Sequence, residues 1–365
     1  MAETDRPIGR PRDQAPPSCR STPVTTPPAL RARFTVRAMD TLRIGILGAA
    51  RIAPAAVIKP ARANAEAVVT AVAARDRSRA DAFASKHGIP NVCDSYTALV
   101  EDPEIDAIYN PLPNGLHAQW TIAALEAGKH VLCEKPFTAN AQEAEAVAAV
   151  ATRTGLVCME AFHYRYHPLA RRMREIVEGG ELGDIRRVET ALCFPLPKFS
   201  DIRYQYDLAG GATMDVGTYT VHTARLLGLE EPEVVSAAAK LRTPDVDRAM
   251  RAELKFPSGH TGRITCSMWS HWVIQTTARV TGTRGELHVI NPTAPQIWHR
   301  MRVKTERGSR SEKFPRRATY EYQLDAFCAA VLRGEPTLTP PSDSIANMRV
   351  LDAIYVAAGM NPRGT

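Results

Sequence analysis

Two short motifs in this chain contain side chains that can hold a hydroxyl group and move its proton. One is CEKPF at residues 133–137, where Lys135 follows a predicted strand and precedes a proline that restricts its backbone. The other is LAGGATMDVGTY at residues 208–219, where Asp215 and Tyr219 are four positions apart and therefore share one face of a predicted helix.

These motifs allow a chemical and a structural interpretation. In the first, the ammonium of Lys135 favours a substrate alkoxide, Asp215 orients the hydroxyls and Tyr219 exchanges the proton. Because the ordinary pKa of tyrosine is about 10, we expect Lys135 to lower the pKa of Tyr219. In the second, Lys135 lies in a surface Lys-Pro turn, and Asp215 and Tyr219 lie incidentally on an amphipathic helix.

A possible phosphate-binding turn lies where the first predicted strand meets a helix, in the sequence GILGAARIA at residues 45–53. A dinucleotide-binding turn has G-x-G-x-x-G there, and this chain has Gly48, Ala50 and Ala53 at the three positions. Alanine is nearly as small as glycine, and the helix N-terminus still offers N–H groups to a phosphate. An ordinary tight turn is the alternative. The candidate cofactor-binding residues of this turn are Gly48, Ala49, Ala50, Arg51 and Ile52.

The end of the second strand bears on the choice of cofactor. NAD-binding proteins place an acidic residue there for the ribose 2′-hydroxyl, whereas this chain has Ala74 followed by Arg75. Arg75 can stack on adenine and pair with a 2′-phosphate, with help from Arg79 or Ser78. The pattern therefore favours NADP, while Asp76 keeps NAD open and a solvated, charged helix start is the alternative interpretation.

The hydrophobic pattern predicts two kinds of sheet. Up to about residue 160, short apolar strands alternate with helices of 10 to 15 residues, which indicates βαβ units and a parallel sheet. Beyond about residue 165, several strands follow one another with turn signals between them, which indicates an antiparallel α+β region. The last segment, 344–357, has the spacing of an amphipathic helix. The fold class is therefore α/β, with two domains at 39–160 and 161–365.

The net charge of +7 is unevenly spread over the 365 residues. Residues 1–38 contain seven arginines and three acidic residues, and seven of the 27 prolines. Such a Pro/Arg-rich tail is expected to be disordered, either as an extension preceding a true start at Met39 or as a basic arm for an acidic partner. Residues 39–365 therefore have only a small net positive charge, which argues against a folded domain that binds nucleic acid.

Membrane, secretory and metal-binding classes find no support in the sequence. It has no apolar run of 18 residues and no secretory h-region at its N-terminus. The seven cysteines form no C-x-x-C pair, which is typical of reduced thiols in a cytoplasmic protein and supports no zinc site.

Taken together, the motifs resemble those of the Gfo/Idh/MocA family of NAD(P)-dependent oxidoreductases. The closest resemblance is to the branch with dihydrodiol dehydrogenase and NADP-dependent D-xylose dehydrogenase. It covers residues 41–358, and four segments occur in the family's order: GILGAARIA, PLPNGLH, EKP and GGATMDVGTY. The single glycine of the first segment departs from the common family pattern.

The resemblance implies a Rossmann domain followed by a domain with a large, open, mainly antiparallel sheet. That sheet commonly forms the subunit interface, which implies a homo-oligomer, either a dimer or a tetramer. The resemblance also implies roles for individual residues. These are Lys135 as the catalytic lysine, Tyr219 as the acid/base, Asp215 on the substrate hydroxyl, Glu134 on the nicotinamide ribose, and Pro111, Asn114 and His117 along the cofactor.

Some candidates keep alternative interpretations. Arg165 or His163, between the two domains, either contacts cofactor or substrate or packs at the junction. Arg203 and Tyr204 lie in a loop that can line the substrate pocket. His222 receives no role, because the family often has an acidic residue at its position.

We therefore expect an NADP-dependent oxidoreductase acting on a secondary alcohol or hemiacetal carbon of a sugar, polyol or cyclic diol. The alternatives are a family member that retains its nicotinamide and acts as a lyase or isomerase, and a non-catalytic NADP-binding regulator.

Overall fold

The computed structural model describes Ala2 and residues 41–269 and 274–364. The predicted tail at 1–38 therefore lies, apart from Ala2, outside the described residues. None of the helices in the described ranges combines the length and the apolar character needed to span a bilayer. Within the same ranges, no group of three or more histidine, cysteine or acidic side chains is arranged to hold a metal ion.

The first half of the described chain builds a six-stranded parallel sheet. Its strands are β1 Leu42–Leu47, β2 Ala67–Ala73, β3 Asn91–Cys93, β4 Ala107–Asn110, β5 His130–Cys133 and β6 Cys158–Glu160. Their order in the sheet is β3-β2-β1-β4-β5-β6, and all neighbours pair in parallel. The order reverses beside β1, which is where such sheets bind dinucleotides at the carboxyl ends of the strands.

Helices connect these strands. They are a π-helical turn Pro54–Ile58 that continues as α1 Lys59–Arg62, then α2 Arg77–His87, α3 Tyr96–Glu101, α4 His117–Glu126 and α5 Ala141–Thr154. The side chains of Asp76, Ser95 and Asn140 cap the N-termini of α2, α3 and α5 by accepting backbone N–H groups. Gly88 and Gly155 end α2 and α5 in the left-handed conformation.

The second half builds an eight-stranded sheet. The remaining helices are α6 Pro168–Glu178, a π-helical turn Thr213–Gly217 continuing as α7 Thr218–Gly228, α8 Thr319–Arg333 and α9 Pro341–Ala357. The strands are β7 Ile185–Cys193, β8 Glu233–Thr243, β9 Val246–Lys255, β10 Thr261–Ser267, β11 Gln275–Gly282, β12 Gly285–Ile290, β13 Arg300–Thr305 and β14 Gly308–Glu312. Their order is β14-β13-β12-β11-β7-β10-β9-β8, antiparallel except for the parallel pair β7 and β10. The predicted fold class is thus confirmed.

The two faces of the eight-stranded sheet differ in character. Helices α7 and α9 contact one face, where side chains such as Val188, Ile264 and Val280 are fully buried. The other face carries charged side chains in ladders of ion pairs, for example Arg263 with Glu253 at 2.6 Å. The sheet therefore has one apolar side packed on helices and one polar side that remains open.

Helix α8 returns the chain to the first sheet. Its buried residues Leu324, Phe327 and Cys328 belong to the same apolar cluster as residues of β1, β2 and the π-helical turn 54–58. The sequence analysis does not predict this helix, because its contacts are with residues about 260 positions earlier, such as Asn64 Nδ2 to Asp325 at 2.9 Å. The domain boundary between residues 160 and 161 stays a prediction, because α8 follows that boundary in the chain but packs against the first sheet.

Candidate active site

The turn after β1 has the conformation and the free donors of a phosphate-binding turn. Gly48 has φ +86°, and a Cβ atom there would lie 3.2 Å from Leu112 Cδ2, so both the backbone and the space favour glycine. The backbone N–H groups of Ala49, Arg51 and Ile52 donate to no acceptor within the described part of the chain. Because these donors precede a helix, they fit the pyrophosphate of a dinucleotide.

The residues after β2 fit a 2′-phosphate. Asp76 is occupied as the N-cap of α2: its carboxylate accepts from Arg79 N at 3.2 Å and from Ser78 Oγ at 2.7 Å, and these bonds lower its pKa. Arg77 is held by Asp81 and Asp94. By contrast, the exposed guanidinium groups of Arg75 and Arg79 form no ion pair with any described residue. Two cations are therefore available for a phosphate, while the nearby carboxylate already has partners.

Lys135 lies at the carboxyl end of β5, joined to Pro136 by a cis peptide bond. Its Nζ donates to the backbone oxygen of Asp215 at 3.2 Å and to Asp215 Oδ1 at 3.5 Å, and it lies 4.9 Å from the centroid of the Tyr219 ring. The structure therefore brings together Lys135, Asp215 and Tyr219, as the chemical interpretation of the two motifs requires.

The helix that carries Asp215 and Tyr219 is fixed at its start by a buried carboxylate. Asp247 Oδ2 accepts from both the backbone N and the Oγ1 of Thr213, each at 2.7 Å. Gly211 must be small, since a Cβ there would lie 2.2 Å from Asp247 Oδ1. Gly210 must be small for a different reason, since a Cβ there would lie 2.7 Å from the backbone oxygen of Arg203. The helix begins as a π-helical turn before α7, which places Asp215 in the turn and Tyr219 in α7.

Tyr219 is buried, and its pKa is raised well above the ordinary value. Burial is the largest cause, followed by the phenol and carboxyl groups of Tyr320, Glu134 and Asp215. The pKa of Tyr219 therefore does not fall below its ordinary value in this structure, contrary to the expectation from the sequence. The physical reason is burial of the phenol, to which nearby phenol and carboxyl groups add.

Two further polar groups complete the cluster. The buried Glu134 accepts from the hydroxyl of Tyr109 at 2.7 Å, and burial raises its pKa while the charge of Lys135 opposes that shift. His163 Nε2 lies 3.1 Å from the Tyr219 hydroxyl, a contact that the sequence analysis does not predict.

A chain of ion pairs joins the phosphate turn to this cluster through Asp201. The carboxylate of Asp201 pairs with Arg51 at 3.1 Å and with Arg203 at 3.2 Å. Arg203 Nε in turn lies 3.0 Å from Asp215 Oδ2, and the charge of Asp215 is the main reason why the pKa of Arg203 is raised. The side chain of Asp201 is only 4% exposed whereas that of Arg51 is 82% exposed, so the aspartate is the fixed member of the bridge.

The other residues predicted along the cofactor, Pro111, Asn114 and His117, differ in burial and in hydrogen bonding. Pro111 is half-buried at the end of β4, and Asn114 Nδ2 donates to the backbone oxygen of Ala209 at 3.0 Å. His117 is buried, with Nδ1 and Nε2 each 2.7 Å from a backbone oxygen, those of Pro136 and Leu112. Burial lowers the pKa of His117 to about 4. Its ring joins two loops of the cluster, and both of its nitrogens are already engaged.

Arg165 lines a cavity of about 270 Å³ together with Arg174, His222 and Asp343, and Lys135, Asp215 and Tyr219 do not line this cavity. There His222 bonds the Tyr164 hydroxyl at 2.6 Å through Nδ1 and Asp343 at 3.0 Å through Nε2. No described contact joins Arg165 to Lys135 or Tyr219, so its assignment to the cofactor stays a prediction.

Comparison with protein families gives two matches that follow one another along the chain. A model described as an oxidoreductase family with an NAD-binding Rossmann fold matches residues 42–162. A model described as the GFO/IDH/MocA C-terminal domain matches residues 170–288.

Individual relatives match over most of this chain. A D-xylose 1-dehydrogenase (NADP(+)) from Haloferax volcanii is 39% identical over 318 residues, which are 87% of this chain and 97% of the relative. A trans-1,2-dihydrobenzene-1,2-diol dehydrogenase from Mus musculus is 35% identical over 259 residues, which are 70% of this chain and 76% of the relative. The crystal structure of a 3-ketoreductase from Actinomadura kijaniata in complex with NADP and TDP-benzene is similar with a TM-score of 0.81 and 32% identity, covering 87% and 98% of the two chains.

Proposed function

This chain belongs to the Gfo/Idh/MocA family of oxidoreductases, and we propose that it is an NADP-dependent dehydrogenase or reductase. Its substrate is a sugar, polyol or cyclic diol that reacts at a secondary alcohol or hemiacetal carbon. The observation that carries this proposal is the convergence of Lys135, Asp215 and Tyr219 at the carboxyl end of β5. The names of the xylose and dihydrodiol dehydrogenases to which the chain is similar support the same chemistry.

The cofactor assignment rests on the residues that fit its two ends. The N–H groups of Ala49, Arg51 and Ile52, which have no acceptor among the described residues, suit the pyrophosphate. Arg75 and Arg79, which form no ion pair within the same residues, suit the 2′-phosphate. When bound, NADP supplies a hydride acceptor or donor at nicotinamide C4. Glu134 lies beside Lys135, where we assign it to the nicotinamide ribose, as the resemblance implies.

Lys135, Asp215 and Tyr219 each have one task in the proposed reaction. Asp215 accepts a hydrogen bond from a substrate hydroxyl and so orients the reacting carbon. Lys135 stabilises the negative charge that develops on the substrate oxygen. As the phenolate, Tyr219 takes the proton of that oxygen during oxidation, and as the phenol it returns the proton during reduction.

A substrate panel tests the proposal. Purified protein is mixed with NADP+ or NAD+ and with aldoses, cyclic polyols or trans-dihydrodiols, and the appearance of reduced nicotinamide is measured. We expect turnover with at least one of these substrates and a higher kcat/KM with NADP+. Failure of all members of the panel with both cofactors would contradict the proposal.

The same assay separates the two alternatives. A lyase or isomerase that keeps its nicotinamide would convert substrate without any net change in reduced cofactor, and the cofactor would remain with the protein on gel filtration. A non-catalytic regulator would bind NADPH without any conversion of substrate. The presence of all three cluster residues favours a catalyst over a regulator.

Assembly and compartment are parts of the proposal. The open polar face of the eight-stranded sheet is suited to a second copy of this chain, with its arginines and glutamates set against their counterparts in a homo-oligomer. The described cysteines are all free thiols, which supports a reducing compartment such as the cytoplasm. Light scattering of the purified protein measures the subunit number. A monomer at all concentrations would contradict the oligomer.

A further inference from the structure

His163 contacts the hydroxyl of Tyr219 with one ring nitrogen, and its other ring nitrogen contacts Thr319, the first residue of α8. His163 Nε2 lies 3.1 Å from Tyr219 Oη, and His163 Nδ1 lies 2.7 Å from Thr319 Oγ1. The ring of Tyr320 covers His163, with ring centroids 4.1 Å apart. Because His163 and Thr319 are both buried, water does not compete for these bonds.

The imidazole of His163 is neutral. Burial lowers its pKa to about 3, and the charge of Lys135 adds to this effect. A neutral imidazole carries one N–H and one acceptor nitrogen, whereas a hydroxyl can donate or accept. The contacts of His163 with Tyr219 and Thr319 are therefore satisfied equally well by two tautomers.

The two tautomers present different faces of the Tyr219 hydroxyl to a substrate. With hydrogen on Nε2, His163 donates to Tyr219 Oη and leaves the phenolic hydrogen free to move to a substrate oxygen. With hydrogen on Nδ1, His163 donates to Thr319 and accepts the phenolic hydrogen, so Tyr219 offers lone pairs to a substrate hydroxyl. The first arrangement suits proton transfer in both directions, because the phenol can give its hydrogen in reduction and the resulting phenolate, which accepts from Nε2–H, can take the alcohol proton in oxidation. The second arrangement binds an alcohol but holds a Tyr219 that is already protonated.

We propose that His163, with Thr319 behind it, is a positioning residue that orients the Tyr219 hydroxyl for proton transfer in both directions of the reaction. It acts through Tyr219 and does not itself carry the proton away, because no described acceptor follows Thr319 Oγ1. This inference rests on the proposed function, in which Tyr219 is the acid/base.

The contact between His163 and the Tyr219 hydroxyl also opposes the causes that raise the pKa of Tyr219. The groups facing this tyrosine are Lys135 over the ring and, among the groups that oppose ionisation, Glu134, Asp215, Tyr164 and Tyr320. Within the described part of the chain, the phenolic oxygen of Tyr219 is hydrogen-bonded to His163 Nε2. An N–H donor at that atom stabilises the phenolate, which takes the proton of the alcohol in oxidation and is formed again when Tyr219 gives that proton back in reduction.

The test compares two substitutions of His163 that separate positioning from packing. His163→Phe keeps a flat ring against Tyr320 and removes both nitrogens, whereas His163→Gln loses the ring and keeps a donor and an acceptor. We expect His163→Phe to lower kcat about 10- to 100-fold in both directions, with the Kd for NADPH unchanged. We expect His163→Gln to recover most of kcat. If packing is the only role, Phe will be the better replacement, and the proposal will be wrong.

The pH profile gives a second readout that a packing role would not move. In His163→Phe the limb of kcat for oxidation that rises with pH should move to higher pH, because the phenolate of Tyr219 has lost its donor, and His163→Gln should bring the limb back. An unmoved limb in His163→Phe would overturn the proposal.

A measurement without turnover separates this inference from the proposed function. The ¹⁵N resonances of the His163 imidazole are assigned by their loss in His163→Gln. At about pH 7 we expect a neutral ring whose tautomer ratio changes in Tyr219→Phe and in Thr319→Val. A charged ring, or a ratio indifferent to both substitutions, would overturn the positioning role. Absence of turnover in the wild type with this expected ¹⁵N pattern would overturn only the proposed function.

Discussion

The ammonium of Lys135 lies over the face of the Tyr219 ring, 4.9 Å from its centroid, and not beside the phenolic oxygen. A cation in this position is attracted to the ring face, and it leaves the hydroxyl edge accessible to other groups. The hydrogens of Lys135 are directed to Asp215, which shares its carboxylate with Arg203. The lysine is therefore held between an aromatic face and a carboxylate, which fixes the place where it can meet a developing oxyanion.

Replacement of Lys135 by methionine should abolish most turnover while leaving the cofactor bound. Methionine keeps much of the volume of lysine but cannot stabilise an oxyanion, so we expect kcat to fall by about 100-fold or more. The Kd for NADPH, measured by fluorescence titration, should change little. Wild-type kcat in Lys135→Met would refute the assigned mechanism.

Lys129 provides a matched control for this substitution. It is a buried lysine of the same sheet region whose Nζ donates to the backbone oxygens of Asp102 and Ile105 at 2.7 and 2.8 Å. Lys129→Met should therefore lower the free energy of unfolding and leave the kcat of the folded fraction near that of the wild type. Opposite behaviour of the two variants would place the catalytic cation elsewhere.

Arg75 and Arg79 should determine the preference for NADP over NAD. Each guanidinium is exposed and free of ion pairs within the described ranges, so alanine at either position removes a phosphate partner and no internal contact. A hydrogen bond to a charged group contributes about 1.5 to 3 kcal/mol, which corresponds to a loss of about 10- to 100-fold in affinity for NADP+. Affinity for NAD+ should remain unchanged, as measured by calorimetric titration of both cofactors.

Arg77→Ala is the control for this pair, because the Arg77 side chain already binds Asp81 and Asp94. We expect it to alter the affinities for NADP+ and NAD+ by the same small factor. If Arg77→Ala reduced the preference for NADP+ as strongly as Arg75→Ala, the 2′-phosphate would lie against a different face of α2.

Much of the fold follows from local sequence patterns. Strands β2 and β5 span 67–73 and 130–133, in agreement with the predicted alternation, because short buried parallel strands are continuous apolar runs between turn signals. Helix α6 spans 168–178, where the apolar residues have helical spacing after a proline. What the pattern does not give is α8, whose apolar residues face a distant part of the chain.

The candidate site divides in the same way. Residue type and spacing make Lys135 and the pair of Asp215 and Tyr219 candidates, and the resemblance to the family favours their chemical interpretation over the structural one. The roles of Asp201 and His163 depend on tertiary contacts with Arg51 and Tyr219, which no local spacing encodes. The direction of the pKa shift at Tyr219 also escaped the sequence analysis, since it depends on burial that only the folded chain creates.

Asp201 should couple the turn after β1 to Asp215, the aspartate that we propose binds the substrate. Asp201→Asn keeps the size of the side chain but removes the charge that holds both Arg51 and Arg203. With one anchor lost, Arg203 positions Asp215 less firmly, so we expect KM for the substrate to rise about tenfold. We also expect the free energy of unfolding to fall by about 1 to 3 kcal/mol, as measured by urea denaturation.

Asp207 lies in the same segment, is exposed, and forms no ion pair with a described residue, so Asp207→Asn is the matched control. It removes the same charge from the same loop and should leave KM and the free energy of unfolding close to those of the wild type. Equal effects of the two substitutions would mean that overall loop charge, and not the bridge, determines substrate affinity.

Glu160 should make the protein less stable as the pH rises through neutrality. The side chain is fully buried at the end of β6, and burial raises its pKa to about 8, compared with about 4.3 for a glutamate in an unfolded chain. Between these two values the folded state keeps a proton that the unfolded state releases. The free energy of unfolding therefore decreases with rising pH across this window, and the loss is complete above the folded pKa.

Glu160→Gln removes this titration while keeping the shape of the side chain. Urea denaturation should give nearly equal free energies of unfolding for wild type and variant near pH 4, and a variant more stable by about 1 kcal/mol or more near pH 8. Taking the difference between the two proteins cancels the opposite contribution of buried histidines such as His117, which both contain. The exposed Glu101→Gln variant corrects for the loss of one carboxylate charge. A wild type that gained stability over Glu160→Gln with rising pH would show that Glu160 is ionised in the folded chain.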